Sequence, residues 1–203
     1  MEIQIGRISE GIFTAEDVQA MHELRYEVFR ERLQWEVPCA DRRELDDFDA
    51  LDPTYMLVKG DDGRVCGCWR VLPTTGPYML KDTFPQILCG QQAPQDPQVW
   101  ELSRFALGRH DGAAGRFCST AILMMERLIE FALERRVTSF VTVTTVAIER
   151  LMKAMGLPMQ RYGVPVQVGI ERTVGFSIDV TRHTLELLRH RRCASQACER
   201  LAA

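Results

Sequence analysis

Val99-Trp100-Glu101-Leu102-Ser103-Arg104-Phe105 alternates apolar side chains with Glu101 and Ser103, the period of a β-strand, and places Arg104 directly after the serine. A central strand seldom carries a carboxylate, a hydroxyl and a guanidinium within four residues, because buried charge without a partner is costly. Two readings stand open. The groups form a structural ion pair or face water at an edge, or a polar ligand sits among them. A three-residue separation sends Glu101 and Arg104 to opposite faces of a regular strand. If both serve one site, the strand must bulge or end near Ser103.

Outward from this strand the chain supplies further elements. Residues 2–8 alternate like an opening strand, and Thr14 precedes Asp17 by three, a capping-box start to a helix reaching about Leu33. Val18, Met21, Leu24 and Val28 form its apolar stripe, with Arg25 and Phe29 together at the edge. On the helix alone, Arg25 reads as a surface residue paired with Glu23 or Glu27. Residues 34–53 lack periodicity yet carry Trp35, Phe48 and the carboxylates Glu44, Asp46, Asp47, Asp49 and Asp52. Loops of that length are usually functional or disordered, and the aromatics need something to pack on. The carboxylates either face solvent or bind a cation, although the spacing lacks the glycine and terminal glutamate of a calcium loop.

Residues 55–59 and 64–72 flank Gly60-Asp61-Asp62-Gly63, a hairpin signal. A short helix is expected over 82–88 and a polar loop over 91–98. The glycine-rich run from Gly108 to Gly115 then leads into an apolar helix from Arg116 to about Arg136. Such a turn is an anion cradle or an ordinary connection. A strand over 139–144, an amphipathic helix marked by Ile148, Leu151, Met152 and Met155, strands over 164–170 and 173–180, and a helix over 181–192 complete the pattern, with 193–203 a frayed tail. Early hairpins followed by strands separated by helices predict one α/β domain over 1–203, a three-layer α/β/α arrangement around a mixed sheet.

At 203 residues and 46% hydrophobic, the chain can bury a full core. It has no run long enough to span a membrane and no basic-then-apolar N-terminus, so a cytoplasmic protein without membrane contact is expected. The seven scattered cysteines read as reduced core thiols, and His22, His110, His183 and His190 lack ligand spacing, so no metal is expected. Net charge is −3, unevenly spread: residues 1–115 hold 12 Lys+Arg against 20 Asp+Glu, and residues 116–203 hold 13 against 8. That asymmetry suggests an acidic partner for the C-terminal half. No recognition motif supports nucleic acid.

Leu24-Arg25-Tyr26-Glu27-Val28-Phe29, Trp35, Asp46-Asp47-Phe48-Asp49, the block from Cys68 to Leu80, and Trp100-Glu101-Leu102-Ser103-Arg104-Phe105 together resemble the acyl-homoserine-lactone synthases (LuxI-type autoinducer synthases), in order and spacing from about residue 20 to 110. The resemblance implies a fold similar to the GCN5-related N-acetyltransferases. It also implies transfer of an acyl group from acyl carrier protein to the amine of S-adenosylmethionine, then lactone closure with release of methylthioadenosine. S-adenosylmethionine is a substrate, and no cofactor is implied. The family's invariant set falls on Arg25, Phe29, Trp35, Asp46, Asp49, Arg70, Glu101 and Arg104, all present. Arg109-His110-Asp111-Gly112-Ala113-Ala114 also fits the pyrophosphate pattern of the N-acetyltransferases.

Chemistry agrees with these assignments. Arginines grip a carboxylate bidentately, so Arg25 and Arg104 are expected on S-adenosylmethionine, with Phe29 and Trp35 offering faces to adenine or sulfonium. Asp46, Asp49 and Arg70 complete the catalytic set. The aspartates either hold the cationic end or order the loop by pairing with Arg25, Arg70 or Arg104. Glu101 is the expected base, acting directly or through water. Met79, Met125, Met152, Met155, Thr142 and Thr144 are candidates for the acyl pocket, where a threonine hydroxyl can bond a 3-oxo group and core packing is the competing role. Arg150, Lys153, Arg161 and Arg172 are candidates for docking the carrier, against a plain solvated face. The rival enzyme is an N-acyltransferase using acyl-coenzyme A and another amine, and the rival non-enzyme is an acyl sensor or carrier.

Overall fold

The computed structural model describes residues 1–108 and 114–201, and among them the side chains outside 114–118 and 195–201. The fold is α/β with a mixed sheet. The chain divides into two compact units, one formed by Met1–Leu72 with Leu102–Arg109, the other by Pro73–Glu101 with His110–Ala203. Strand β6 (Val99–Leu107) contributes to both.

In the first unit β1 (Glu2–Arg7) pairs antiparallel with β4 (Thr54–Lys59), which pairs antiparallel with β5 (Val65–Pro73). Gly60-Asp61-Asp62-Gly63 makes the expected turn, closed by Gly60 N–H to Arg64 O at 2.9 Å. Helix α1 (Ala15–Arg25) starts at the Thr14–Asp17 capping box and continues as a π-helical stretch, Tyr26–Arg32. Met21, Leu24, Val28 and Phe29 bury against Tyr55, Leu57 and Cys68. The 34–53 segment is more regular than its composition suggests: β2 (Cys39–Ala40) and β3 (Arg43–Glu44) form a small hairpin, and Asp46 caps a 3-10 turn, Asp47–Leu51.

In the second unit the short helix begins earlier than expected: α2 is Met79–Asp82, followed by a 3-10 turn at Pro85–Leu88. Helix α3 (Ala114–Glu134), β7 (Ser139–Thr145) and α4 (Val146–Ala154, capped by Thr145) follow. A strand that periodicity missed, β8 (Met159–Arg161), and β9 (Val166–Val168) both pair with β10 (Glu171–Asp179), whose other edge pairs with β7. Three residues are too few to show a period. Helix α5 (Arg182–Leu201) runs past Arg192, packs on α3 and ties to it through Arg192 to Glu126 at 2.7 Å and Arg189 to Glu130 at 2.6 Å. Among the described residues no helix is long and apolar enough to cross a membrane. The cysteine expectation needs correction in one respect. Cys68 is buried and Cys66 half-buried, but Cys39, Cys89 and Cys193 are exposed free thiols.

Candidate active site

Three arginines and three carboxylates, all of low exposure, meet in the first unit. Arg25 leaves the last turn of α1, fully buried, and gives Nε to Glu44 Oε2 at 2.5 Å and both terminal nitrogens to Asp49 at 2.8 Å. This corrects the surface pairing with Glu23 or Glu27: a guanidinium at the stripe's edge is covered once the 34–53 segment folds over it. Arg70, also fully buried on β5, forks onto both oxygens of Asp46, reaches Asp49 at 2.9 Å and gives Nε to Ser103 Oγ at 3.1 Å. Arg104 gives Nε to Glu44 Oε1 at 3.0 Å and lies 2.6 Å from Asp46.

Burial without pairing would be prohibitive here, and pairing holds the charged forms. Burial pushes the Asp49 carboxyl up, but the Arg25 and Arg70 guanidinium groups and the Tyr55 hydroxyl hold it well below the usual carboxylate range. Burial opposes the Arg25 charge, and Asp49 and Glu44 more than offset that. For Arg104 burial wins and its pKa falls from the ordinary value.

Strand β6 neither ends at Ser103 nor stays regular. Arg104 takes a left-handed backbone, φ +56°, and the strand continues to Leu107. For a residue with a Cβ this conformation costs about 1–2 kcal/mol. It brings the side chains of two consecutive residues, Ser103 and Arg104, onto the same cluster. The aromatic faces lie against it. Phe29 and Trp35 stack with centroids 5.4 Å apart and planes 9° apart, and Arg104 sits 5.6 Å over the Phe29 ring. Phe48 lies under Arg70 at 5.5 Å. The Trp35 Nε1 is buried with no hydrogen-bond partner.

Glu101, fully buried, belongs to the second unit. Its two oxygens accept from Met79 N–H at 2.9 Å and Leu80 N–H at 2.6 Å, the opening of α2.

In the same unit Met79, Met125, Met152, Met155 and Thr142 are buried, and Thr144 is half-buried on the same face of β7 as Thr142. The four basic residues Arg150, Lys153, Arg161 and Arg172 are all exposed. Lys153 and Arg161 share the buried Glu149, at 2.8 and 2.6 Å. Most of the glycine-rich turn, residues 109–113, lies outside the described residues.

Sequence reasoning passed over three members of the site. Glu44 bridges Arg25 and Arg104, Tyr55 gives its hydroxyl to Asp49 at 2.5 Å, and His22 meets the Glu44 carbonyl at 2.9 Å. Strand register carried a signal for Tyr55, which lies directly opposite Arg70.

The autoinducer synthase family model matches residues 11–188. The chain is 43% identical to an acyl-homoserine-lactone synthase of Pseudomonas aeruginosa over 186 residues, 91% of this chain and 92% of that one. The crystal structure of the AHL synthase LasI matches with a TM-score of 0.85 at 43% identity, over 92% of this chain and 93% of that chain. BjaI, a CoA-dependent acyl-homoserine lactone synthase solved with SAM and isopentyl-CoA, matches with a TM-score of 0.83 at 26% identity, over 94% and 88%. An acyl-CoA N-acyltransferase from Pseudomonas aeruginosa, 14% identical with a TM-score of 0.56 over 87% and 97%, shares the fold alone. By its family model and its relatives, then, this chain belongs to the autoinducer synthases.

Proposed function

We propose that the protein is an acyl-homoserine-lactone synthase that takes its acyl group from acyl carrier protein and its amine from S-adenosylmethionine. The observation that carries this reading is the self-neutralised cluster of Arg25, Arg70 and Arg104 with Glu44, Asp46 and Asp49, walled by Phe29, Trp35 and Phe48. A substrate carrying an ammonium, a carboxylate, a sulfonium and an adenine finds a partner there for each group. The neutral amine attacks the thioester carbonyl carbon and the thiolate leaves with a proton. Glu101 takes the amine's proton, directly or through water. The methionine carboxylate then forms its bond to the carbon beside sulfur while the C–S bond breaks, giving the lactone and methylthioadenosine. Aspartates tied up by two arginines each order the loop, and Asp49, held ionised far below neutral pH, is a poor base.

Coenzyme A is the second donor considered, because BjaI is CoA-dependent. The basic C-terminal half favours the acidic carrier. The test is purified protein with S-adenosylmethionine and, separately, acyl carrier thioester and acyl-coenzyme A. Methylthioadenosine and acyl-homoserine lactone should form together, faster from the carrier. Acyl transfer to another amine without methylthioadenosine would overturn the reading in favour of a general N-acyltransferase, and no transfer at all would favour a sensor.

A further inference from the structure

Helix α1 holds Glu44 at two points. His22 and Arg25 are three residues apart, close to one helical turn, so both side chains lie on one face. His22 Nδ1 lies 2.9 Å from the Glu44 carbonyl oxygen, and Arg25 Nε lies 2.5 Å from Glu44 Oε2. A carbonyl only accepts, so Nδ1 carries the proton and the imidazole donates. His22, Arg25 and Glu44 are all buried, and all belong to the first unit. One contact fixes the Glu44 backbone and the other its carboxylate. Together they settle where the second oxygen, Oε1, points, and Arg104 Nε meets it at 3.0 Å.

Arg104 needs such a hold. Its left-handed backbone, φ +56°, persists only where surrounding contacts over-determine it. Glu44 supplies one of those contacts, and Asp46, 2.6 Å away, another. Arg104 is also the arginine of the cluster that a substrate can reach, because its side chain is 10% exposed against 0% for Arg25 and Arg70. A guanidinium grips a carboxylate through two parallel hydrogen bonds, so the grip depends on its orientation. We propose that His22 is a positioning residue for substrate binding: by pinning the Glu44 carbonyl it sets the orientation of Arg104, and so the grip of Arg104 on the carboxylate of S-adenosylmethionine. His22 itself touches no substrate in this arrangement. The assignment rests on the S-adenosylmethionine reading above and adds a residue that serves it from two contacts away.

The test is equilibrium binding of S-adenosylmethionine and, separately, of methylthioadenosine at about pH 8, where an imidazole is neutral. The proteins are wild type, His22→Leu and His22→Asn, each shown to be folded by its unfolding midpoint. Methylthioadenosine keeps the adenine but lacks the amine and the carboxylate, so its affinity does not depend on Arg104. Leucine fills the space without a donor, whereas the asparagine amide nitrogen stands close to where Nδ1 stood. His22→Leu should bind S-adenosylmethionine about tenfold more weakly, the upper end of what one hydrogen bond contributes, and methylthioadenosine like wild type. His22→Asn should recover most of the lost affinity. If His22→Leu does not fold, His22→Gln, whose amide lies one bond farther out, is measured in its place. Wild-type affinity for S-adenosylmethionine in the folded donor-less variant would overturn the proposal. So would an equal loss for both ligands, the mark of a general loosening of the unit, and so would an absence of recovery in His22→Asn. In these three cases the wild type still binds S-adenosylmethionine and the function stands. A wild type that binds neither ligand would overturn both.

Discussion

Asp49 accepts from Arg25, Arg70, Tyr55 and the Asp46 amide. An acceptor so occupied sets the position of its donors and is held ionised, and Glu101 accepts from the Met79 and Leu80 amides at the opening of α2. The proposed reading gives positioning to Asp49, which its arginines hold ionised, and proton transfer to Glu101. Glu101→Gln keeps the size but turns one acceptor oxygen into a donor that faces a backbone N–H, so it disturbs α2 as well as removing the base. Turnover should fall about 10²–10⁴-fold. Stability should drop by about 1–3 kcal/mol for the unmet amide. Turnover within a few-fold of wild type, at a temperature where the variant is folded, would take Glu101 out of the base role. Arg104 could be picked from the sequence because charge is rare in an apolar strand, and Asp46 and Asp49 were singled out by the family resemblance. Glu44 could not, because nothing local separates it from its neighbours in an acidic stretch. Only the arrival of Arg25 and Arg104 on either side makes it a buried bridge.

At the scale of elements, α1 and the β2–β3 hairpin are joined by one neutral contact amid the charged ones. His22 gives its Nδ1 proton to the Glu44 carbonyl. Burial first, and then the Arg25 charge, hold the imidazole below its ordinary pKa. The unfolded chain therefore takes up a proton near pH 6.5 that the folded chain does not. The stability His22 allows is present above that pH and is lost as pH falls below it, by at most about 1.4 kcal/mol per unit. Denaturant unfolding at pH 7 and pH 5.5 should show this loss in wild type and a flatter dependence in His22→Gln. Parallel dependences would assign the loss to other groups. The capping box at Thr14 and the turn at residues 60–63 were legible because each uses a few adjacent residues. The 34–53 segment was not, since its hairpin and turn are held by ion pairs to α1, β5 and β6 rather than by any period of its own.

Across the whole molecule, charge separates along the sequence, with the acidic residues concentrated before residue 116 and the basic excess after it. Three acids of the first part, Glu44, Asp46 and Asp49, are paired with Arg25, Arg70 and Arg104, while Arg150 and Arg172 of the second part are exposed. Lys153 and Arg161 are less suitable for charge reversal. Both pair with Glu149, whose carboxyl is lowered to about 2, chiefly by its bond to Arg161, so reversing either would set like charges together and confound binding with folding. Arg150→Glu with Arg172→Glu avoids this. Rim charges act mainly on encounter, and steering of this kind changes association by roughly tenfold or more. The double variant should raise the KM for acyl carrier protein by about tenfold at low salt. Its KM for S-adenosylmethionine should not change, because the proposed function seats that substrate at the cluster around Arg25 and Arg70. Salt supplies the second arm, since screening shortens from about 10 Å at 0.1 M to about 3 Å at 1 M. The wild-type rate at low carrier concentration should fall steeply over that range, and the variant's should stay nearly level. A variant with the wild-type KM for carrier at low salt would remove Arg150 and Arg172 from the docking surface and move the search to the arginines of α5.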